Sequence, residues 1–281
     1  MSPASTEQFL LEQYARHPAS QLQDLRKALY QSVFGCEHLI TDTSAAAEGI
    51  RRETAEAGPC SREIEALDGP WSRVQLGVLA DGLTPETLSR MFARSAAMSH
   101  GDADALQEKL TVLRRLIHSG ALPYSPAESD AELDDWRKNG FPSCHHSDEY
   151  RAAYRPAYRV LHRTYVRLLP LLAAIDRALA ENPRVLLAIE GGAASGKSTL
   201  ADLLTAIYPD TALFHADDFF LRPEQRTAAR YAQPGGNLDR ERLESEILIP
   251  ISRNKAAVYR PFNCRTLSLR EPVTVLPGRL N

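Results

Sequence analysis

The stretch Gly191-Gly192-Ala193-Ala194-Ser195-Gly196-Lys197-Ser198-Thr199 constrains this chain more than any other. It fits G-x-x-x-x-G-K-[ST], a loop that binds phosphate when it joins a strand to the N-terminus of a helix. Both flanks meet that condition. Arg184 to Ile189 is a short, almost wholly apolar run, the pattern of a strand buried on both faces. Leu200, Leu203, Leu204 and Ile207 then recur at i, i+3, i+4 and i+7, one face of a helix that Pro209 ends. Glycines let the backbone wrap an anion so that successive N–H groups point inward, and the helix dipole adds positive potential there. In this frame Gly191 to Thr199 cradle nucleotide phosphates, Lys197 bridges the terminal ones, and the Ser198 hydroxyl ligates Mg²⁺. ATP and Mg²⁺ are the expected cofactors.

An acidic element follows. Thr211 to Ala216 reads as a second buried strand running into Asp217-Asp218-Phe219-Phe220. In parallel α/β sheets, ligands sit at the carboxyl ends of the strands, where this pair lies. A carboxylate there can accept the proton of an attacking hydroxyl or hold Mg²⁺ through water. The plainer use of the same residues is a helix cap. Two consecutive acids beside a phosphate loop favour the catalytic use.

Residues 1–182 have a helical pattern, and the boundary to the phosphate-loop domain (183–281) falls at Asn182-Pro183. Leu22, Leu25, Leu29 and Val33 mark one amphipathic helix. Thr84-Pro85-Glu86 opens another, with a cap and a proline at the first helical position, running to about Met98. Asp102 begins a third, striped by Leu106, Leu110, Leu113 and Ile117 and stopped at Gly120. Pro123 to Pro142 reads as a loop with one short helix around Trp136. Pro156 to Ala180 is the longest expected helix, kinked at Pro170. Two features there carry metal-binding or charged groups. Cys144-His145-His146, with Cys36-Glu37-His38, offers metal-ligating side chains, but adjacent ligands suit one ion poorly and a polar loop is the default. Arg151, Arg155, Arg159, Arg163 and Arg167 recur at i, i+4; a solvated helix face is favoured over an anionic partner.

The chain's 281 residues leave room for two domains, and a net charge of −3 gives no whole-chain bias toward nucleic acid or an anionic membrane. Met1 to Gln8 lacks the basic-then-apolar pattern of a secretory leader. The best apolar run, Leu168 to Ile175, is far too short to span a bilayer. Four cysteines without a C-x-x-C pair point to reduced thiols in the cytoplasm.

Four blocks in order carry a resemblance: the phosphate loop, His215-Ala-Asp-Asp-Phe-Phe, Gln233-Pro-Gly-Gly-Asn-Leu-Asp239, and Tyr259-Arg-Pro-Phe-Asn-Cys264. Together, over about Arg184 to Asn281, they resemble the uridine kinase/phosphoribulokinase family; residues 1–182 resemble no family recognised from their sequence. The resemblance implies that Asp217 is the carboxylate that activates the acceptor hydroxyl, and that Lys197, Ser198 and Asp217 serve ATP and Mg²⁺. It implies that Asp218, Tyr259, Arg260, Phe262 and Asn263 line the acceptor. At Asn263 the family pattern has Asp, and an amide cannot act as an ionised acceptor. Glu271 to Asn281 resembles the lead-in to the family's next core strand, so a C-terminally truncated core is expected.

The expected fold is thus an all-α domain followed by an incomplete α/β P-loop NTPase core. The expected function is transfer of the ATP γ-phosphoryl group to a hydroxyl of a nucleoside or similar small molecule. The alternative is a nucleotide-binding regulatory protein or an inactive kinase remnant. A nucleic-acid-handling ATPase is weaker, because the chain is not basic.

Overall fold

The structure, a computed structural model, describes residues 6–36, 42–58 and 60–281. Glu37 and His38 of the second candidate metal cluster, and the start of the chain at Met1 to Ser5, lie outside them. The chain divides into two compact units, Met1–Asp176 and Arg177–Asn281.

The first unit runs α1 (Thr6–Arg16), α2 (Leu22–Phe34), α3 (Thr43–Ala57), β1 (Ile64–Ala66), β2 (Trp71–Gln75), α4 (Pro85–Ala96), α5 (Ala103–His118), α6 (Pro126–Lys138), α7 (Asp148–Tyr154), β3 (Tyr158–His162) and α8 (Arg163–Val166). The division falls inside α9 (Leu169–Glu181). Helices begin where short polar side chains satisfy free N–H groups. The Thr84 hydroxyl accepts from the Thr87 N–H at α4, and the Asp102 carboxylate accepts from the Ala105 N–H at α5. One core holds Leu25 and Leu29 of α2, Leu106, Leu110 and Leu113 of α5, and both Trp71 and Trp136.

Several expectations for this unit are corrected. The unit is not all-α: β1, β2 and β3 form an antiparallel sheet in that order. Its central register runs from Trp71 opposite His162 to Gln75 opposite Tyr158. The expected helix Pro156 to Ala180 therefore breaks into β3, α8 and α9. Tyr158, Leu161 and Tyr165 have helical spacing, but Val160 and Leu161 are both buried and the pairing with β2 decides their conformation. Pro170 sits in the first turn of α9, where no N–H is needed, and so opens that helix instead of kinking a longer one. The short helix expected around Trp136 is the 13-residue α6. The arginine series consequently shares no helix face: Arg151 is in α7, Arg159 in β3 and Arg163 in α8.

A chain of buried polar groups crosses the unit. The Asp24 carboxylate accepts hydrogen bonds from the Ser147 N–H and hydroxyl and from His146 Nδ1, the last at 2.8 Å. That fixes the tautomer, so His146 Nε2 accepts from the Tyr158 hydroxyl at 2.6 Å. Arg73, only 1% exposed, donates to Gln31 Oε1 at 2.8 Å and to Glu65 Oε2 at 3.4 Å. Burial pushes the His146 imidazole down to about 4, more than its hydrogen bond to Asp24 raises it. At neutral pH His146 and Asp24 therefore share a hydrogen bond, not an ion pair. Burial alone would raise the Asp24 carboxyl, but hydrogen bonds from His146, Ser147 and the Gln21 N–H outweigh it and hold the group low.

The linkage has one sign. His146 binds its proton at about 4 when folded and near the ordinary 6.5 when unfolded, so the unfolded chain takes up more protons between those values. Stability is full above 6.5 and falls as the pH drops toward 4. The depressed Asp24 carboxyl adds a loss in the same direction at lower pH still. The His146 share is at most about 3 kcal/mol. Urea unfolding of wild type and His146→Gln should give curves that converge between pH 7 and 4. Parallel pH profiles would show that His146 does not carry this dependence.

The second unit contains α10 (Lys197–Ile207), β4 (Ala257–Tyr259), β5 (Phe262–Asn263), β6 (Ser268–Leu269) and β7 (Val273–Val275). β4 pairs with β7 and β5 with β6, both antiparallel. Its core comprises Phe219, Ile247, Ile251, Ala257 and Tyr259. Neither run expected as a buried strand forms a regular strand; the first is largely uncovered, whereas in the second Ala212 is buried and Phe214 packs against that core. Leu186 is 56% exposed, and none of Arg184 to Ile189 is buried. Their regular pairing is limited to bridges in which Val185 and Thr211 flank Leu280, both in parallel. No helix among the described residues is long and apolar enough to cross a membrane.

Candidate functional site

The phosphate loop is exposed, and its shape follows from residues that tolerate left-handed backbone. Gly191 has φ 157° and Gly196 has φ 87°. A Cβ at Gly191 would lie 2.7 Å from Ser195 Oγ, a side chain that can rotate away, so it is the backbone conformation that favours glycine there. Ala194 is also left-handed, at φ 56°. That costs a residue with a Cβ about 1–2 kcal/mol, and such strain concentrates at ligand-holding turns. Gly196 caps α10, and Lys197 is that helix's first residue. The first N–H groups of α10 thus open onto the loop, with the positive end of its dipole. Lys197 Nζ folds back over the loop, donating to the carbonyls of Gly191 at 2.9 Å and Gly192 at 2.8 Å.

Asp217 and Asp218 lie on a single 3-10 turn, Ala216–Phe219. The segment that leads into that turn is tied to the one before the phosphate loop by bridges to a single residue. Val185 and Thr211 flank the same residue, Leu280, in parallel. Leu187 N–H donates to Asn281 O at 2.8 Å and Ala212 N–H to Leu280 O at 2.9 Å. Gly191 and Asp217 each stand six positions beyond their bridge residue. Both bridges are parallel, so the segments that lead to Gly191 and to Asp217 leave Leu280 in the same direction.

The two acids have different surroundings. The Asp217 carboxylate is exposed and has no partner among the described residues. Asp218 is half-buried, and its Oδ2 accepts from the Tyr259 hydroxyl at 3.4 Å. Burial first, and Asp218 second, push the Tyr259 phenol upward, so it stays a donor. Phe219 stacks on Tyr259 at 5.2 Å and carries the Arg242 guanidinium over its face at 5.2 Å. Comparison of the chain with family models, curated proteins and solved structures gives no match.

The Gln233–Asp239 block holds the acid turn from behind. Asp239 N–H donates to Phe219 O at 2.7 Å, and Leu221 N–H donates to Asn237 O at 3.1 Å. The buried Asp239 carboxylate accepts from Gln225 Nε2 at 2.8 Å and from the Arg242 N–H at 3.2 Å. Asp239, which closes one of the four sequence blocks, and Arg242, which lies in none, are positioning residues to which motif reading assigned no role. Their signal was an Asp followed by Arg-Glu-Arg, a helix-start pattern.

The residues expected to line the acceptor do not all meet there. Tyr259 reaches Asp218, as above, and Phe262 is buried. Arg260 instead donates to the carbonyls of Arg270 at 2.7 Å and Leu269 at 3.2 Å. Asn263 Oδ1 accepts from the Arg265 N–H at 2.9 Å, closing the turn between β5 and β6. A cavity of about 280 Å³ opens beside this hairpin, walled by Phe220, Tyr231, Phe262 and Cys264, with Arg226 and Asn237 at its polar side.

The donor set suits the expected groups. The Ser198 hydroxyl and the Asp217 carboxylate are both exposed and without partners among the described residues, so both can take a Mg²⁺ ion and its waters. The loop's N–H groups and Lys197 suit phosphate oxygens. His146, by contrast, has both ring nitrogens engaged, and the described residues contain no group of three or more His, Cys, Asp or Glu side chains placed to hold a metal ion.

Proposed function

We propose that the second unit is an ATP-dependent small-molecule kinase on a P-loop NTPase core, acting in the cytoplasm on a hydroxyl of a nucleoside-like acceptor. One observation supports the reading most: the segments that lead into the Gly191–Thr199 loop and the Asp217 turn both bridge Leu280 in parallel. ATP supplies the transferable phosphoryl group and Mg²⁺ offsets charge on its oxygens. The chain's own residues do the rest. The loop N–H groups and the α10 N-terminus hold the phosphate tail, and Lys197 moves its ammonium from the loop carbonyls to the terminal oxygens. Ser198 and Asp217 would hold the metal and its waters. Asp217 takes the acceptor's proton as its oxygen attacks, the role open to the unpartnered carboxylate of the pair. Tyr231, Phe220 and Phe262 offer flat walls for a planar base, with Arg226 and Asn237 for its polar edge.

The test begins with binding. Lys197→Ala removes the ammonium and leaves the backbone cradle, so titration with a fluorescent ATP analogue should show affinity weakened by about tenfold or more. Equal affinity in wild type and variant would sink the assignment.

A second reading, a nucleotide-binding regulatory protein that transfers nothing, draws on Arg260 and Asn263, whose side chains are engaged with backbone. ADP release measured across a panel of nucleosides separates the two. Turnover above the no-acceptor rate with any of them favours the kinase.

A further inference from the structure

The segment 184–190, which leads into the phosphate loop, has one bonded edge and one bare edge. Val185 N–H donates to Arg279 O at 2.8 Å, Asn281 N–H donates to Val185 O at 2.9 Å, and Leu187 N–H donates to Asn281 O at 2.8 Å. Exposure alternates along the run: Leu186, Ala188 and Glu190 are exposed, whereas Val185, Leu187 and Ile189 are half-buried. Both signs are those of extended chain. There the N–H and C=O of one residue point to the same side, and those of the next residue to the opposite side. With Val185 and Leu187 turned toward the segment through Leu280, Leu186 and Ala188 aim their backbone groups the other way. Neither makes a hydrogen bond there among the described residues.

A bare edge is a template for another strand, and proteins commonly blunt it with a charge, a proline or a bulge. Residues 185–189 are Val-Leu-Leu-Ala-Ile and carry neither charge nor proline. The charges stand at the two ends. Glu190 is exposed and has no partner among the described residues. The Arg184 guanidinium donates to Gly278 O at 3.1 Å, to Ile251 O at 3.3 Å and to Asn254 Oδ1. All three acceptors are neutral, so its charge meets no carboxylate. The run is therefore complementary to its own reverse. Laid antiparallel to a second copy about a two-fold axis at Leu187, it sets Arg184 opposite Glu190 and Leu186 opposite Ala188. These are the residues whose backbone groups face outward, so each such pair can exchange both its bonds. Leu187 then meets Leu187 and Val185 meets Ile189, apolar on apolar, in the closer pairs that share no hydrogen bond. A two-fold axis uses the same surface on both copies and closes the assembly at two. A strand from a different protein would not require the matched charges at the two ends.

We propose that two copies of this chain associate through antiparallel pairing of residues 184–190, with Arg184 of each copy facing Glu190 of the other. Sedimentation velocity on the 281-residue chain should show a dimer that dissociates on dilution. Ala188→Pro removes an N–H that no residue of the chain accepts, so it should keep the far-ultraviolet circular dichroism of the wild type and raise the dimer Kd by about tenfold or more. Glu190→Arg sets like charges opposite one another and should also weaken the dimer. Cross-linking locates the axis without disturbing the backbone. With the exposed Cys264 changed to Ser, Leu187→Cys should form a disulfide with its own copy under mild oxidation, because residues on the axis approach most closely, and Leu186→Cys should not. A monomer at about 100 µM overturns the proposal and leaves the edge to a strand from another protein. So does a dimer that a folded Ala188→Pro leaves at unchanged Kd, or one in which Leu186→Cys cross-links as readily as Leu187→Cys, since either puts the contact elsewhere.

Discussion

Asp217→Asn is expected to lower turnover by about two to four orders of magnitude, with nucleotide affinity nearly unchanged. The amide keeps the shape of the carboxylate but cannot take a proton at neutral pH. Of the two acids, Asp217 is the exposed one without a partner, whereas Asp218 is tied to Tyr259 at 3.4 Å. Asp218→Asn should therefore act mainly on acceptor KM, by loosening Tyr259, with a smaller effect on kcat. The measurement is steady-state ADP release at saturating ATP, with the best nucleoside from the panel as acceptor. A larger loss of kcat in Asp218→Asn than in Asp217→Asn would reverse the assignment of the base.

Arg73→Met is expected to destabilise the first unit by about 3–5 kcal/mol, because it leaves the buried Glu65 carboxylate without its cation. The Coulombic pull of Arg73, with the hydrogen bond from Gln13, holds that carboxyl low against a burial cost that acts the other way. The guanidinium also lies over the Tyr158 ring at 5.1 Å and donates to Gln31, so several neighbours lose a partner at once. Adding Glu65→Gln to Arg73→Met should restore part of the loss, since the amide removes the stranded charge. Chemical denaturation of the single and double variants decides it. A loss below about 1 kcal/mol in Arg73→Met would place the pair among interactions of surface strength.

What the sequence conveys about this chain follows from how local each signal is. α2, α4 and α5 lie where their apolar stripes and caps put them, because Thr84 and Asp102 act on N–H groups three residues away. The sheet of the first unit was illegible because β2 and β3 are separated by nearly half of that unit and β3 carries apolar residues at helical spacing. The Asp24–His146–Tyr158 chain was hidden for the same reason: Asp24 and His146 lie 122 positions apart. At the candidate site, the loop and its helix were readable as a contiguous motif. The shared bridging of Val185 and Thr211 was not, since it depends on Leu280, distant in sequence from both. Arg155 defeated the i, i+4 reading because one left-handed residue turns the chain out of its helix. Arg260 and Asn263 defeated the acceptor reading because turn carbonyls and N–H groups compete for the same side-chain atoms.

Trp71 and Trp136 are the only tryptophans in the chain, and both are buried in the core of the first unit. The second unit has tyrosines but no indole. Ultraviolet light at the red edge, absorbed by indole and not by phenol, therefore excites one unit alone. Intrinsic emission follows the melting of the first unit without a contribution from the second, which makes it a direct readout for Arg73→Met. Ligands of the Gly191–Thr199 loop have no indole beside them in their own unit. A change in emission on adding ATP would accordingly be a signal received by the other half of the chain, detectable without a label.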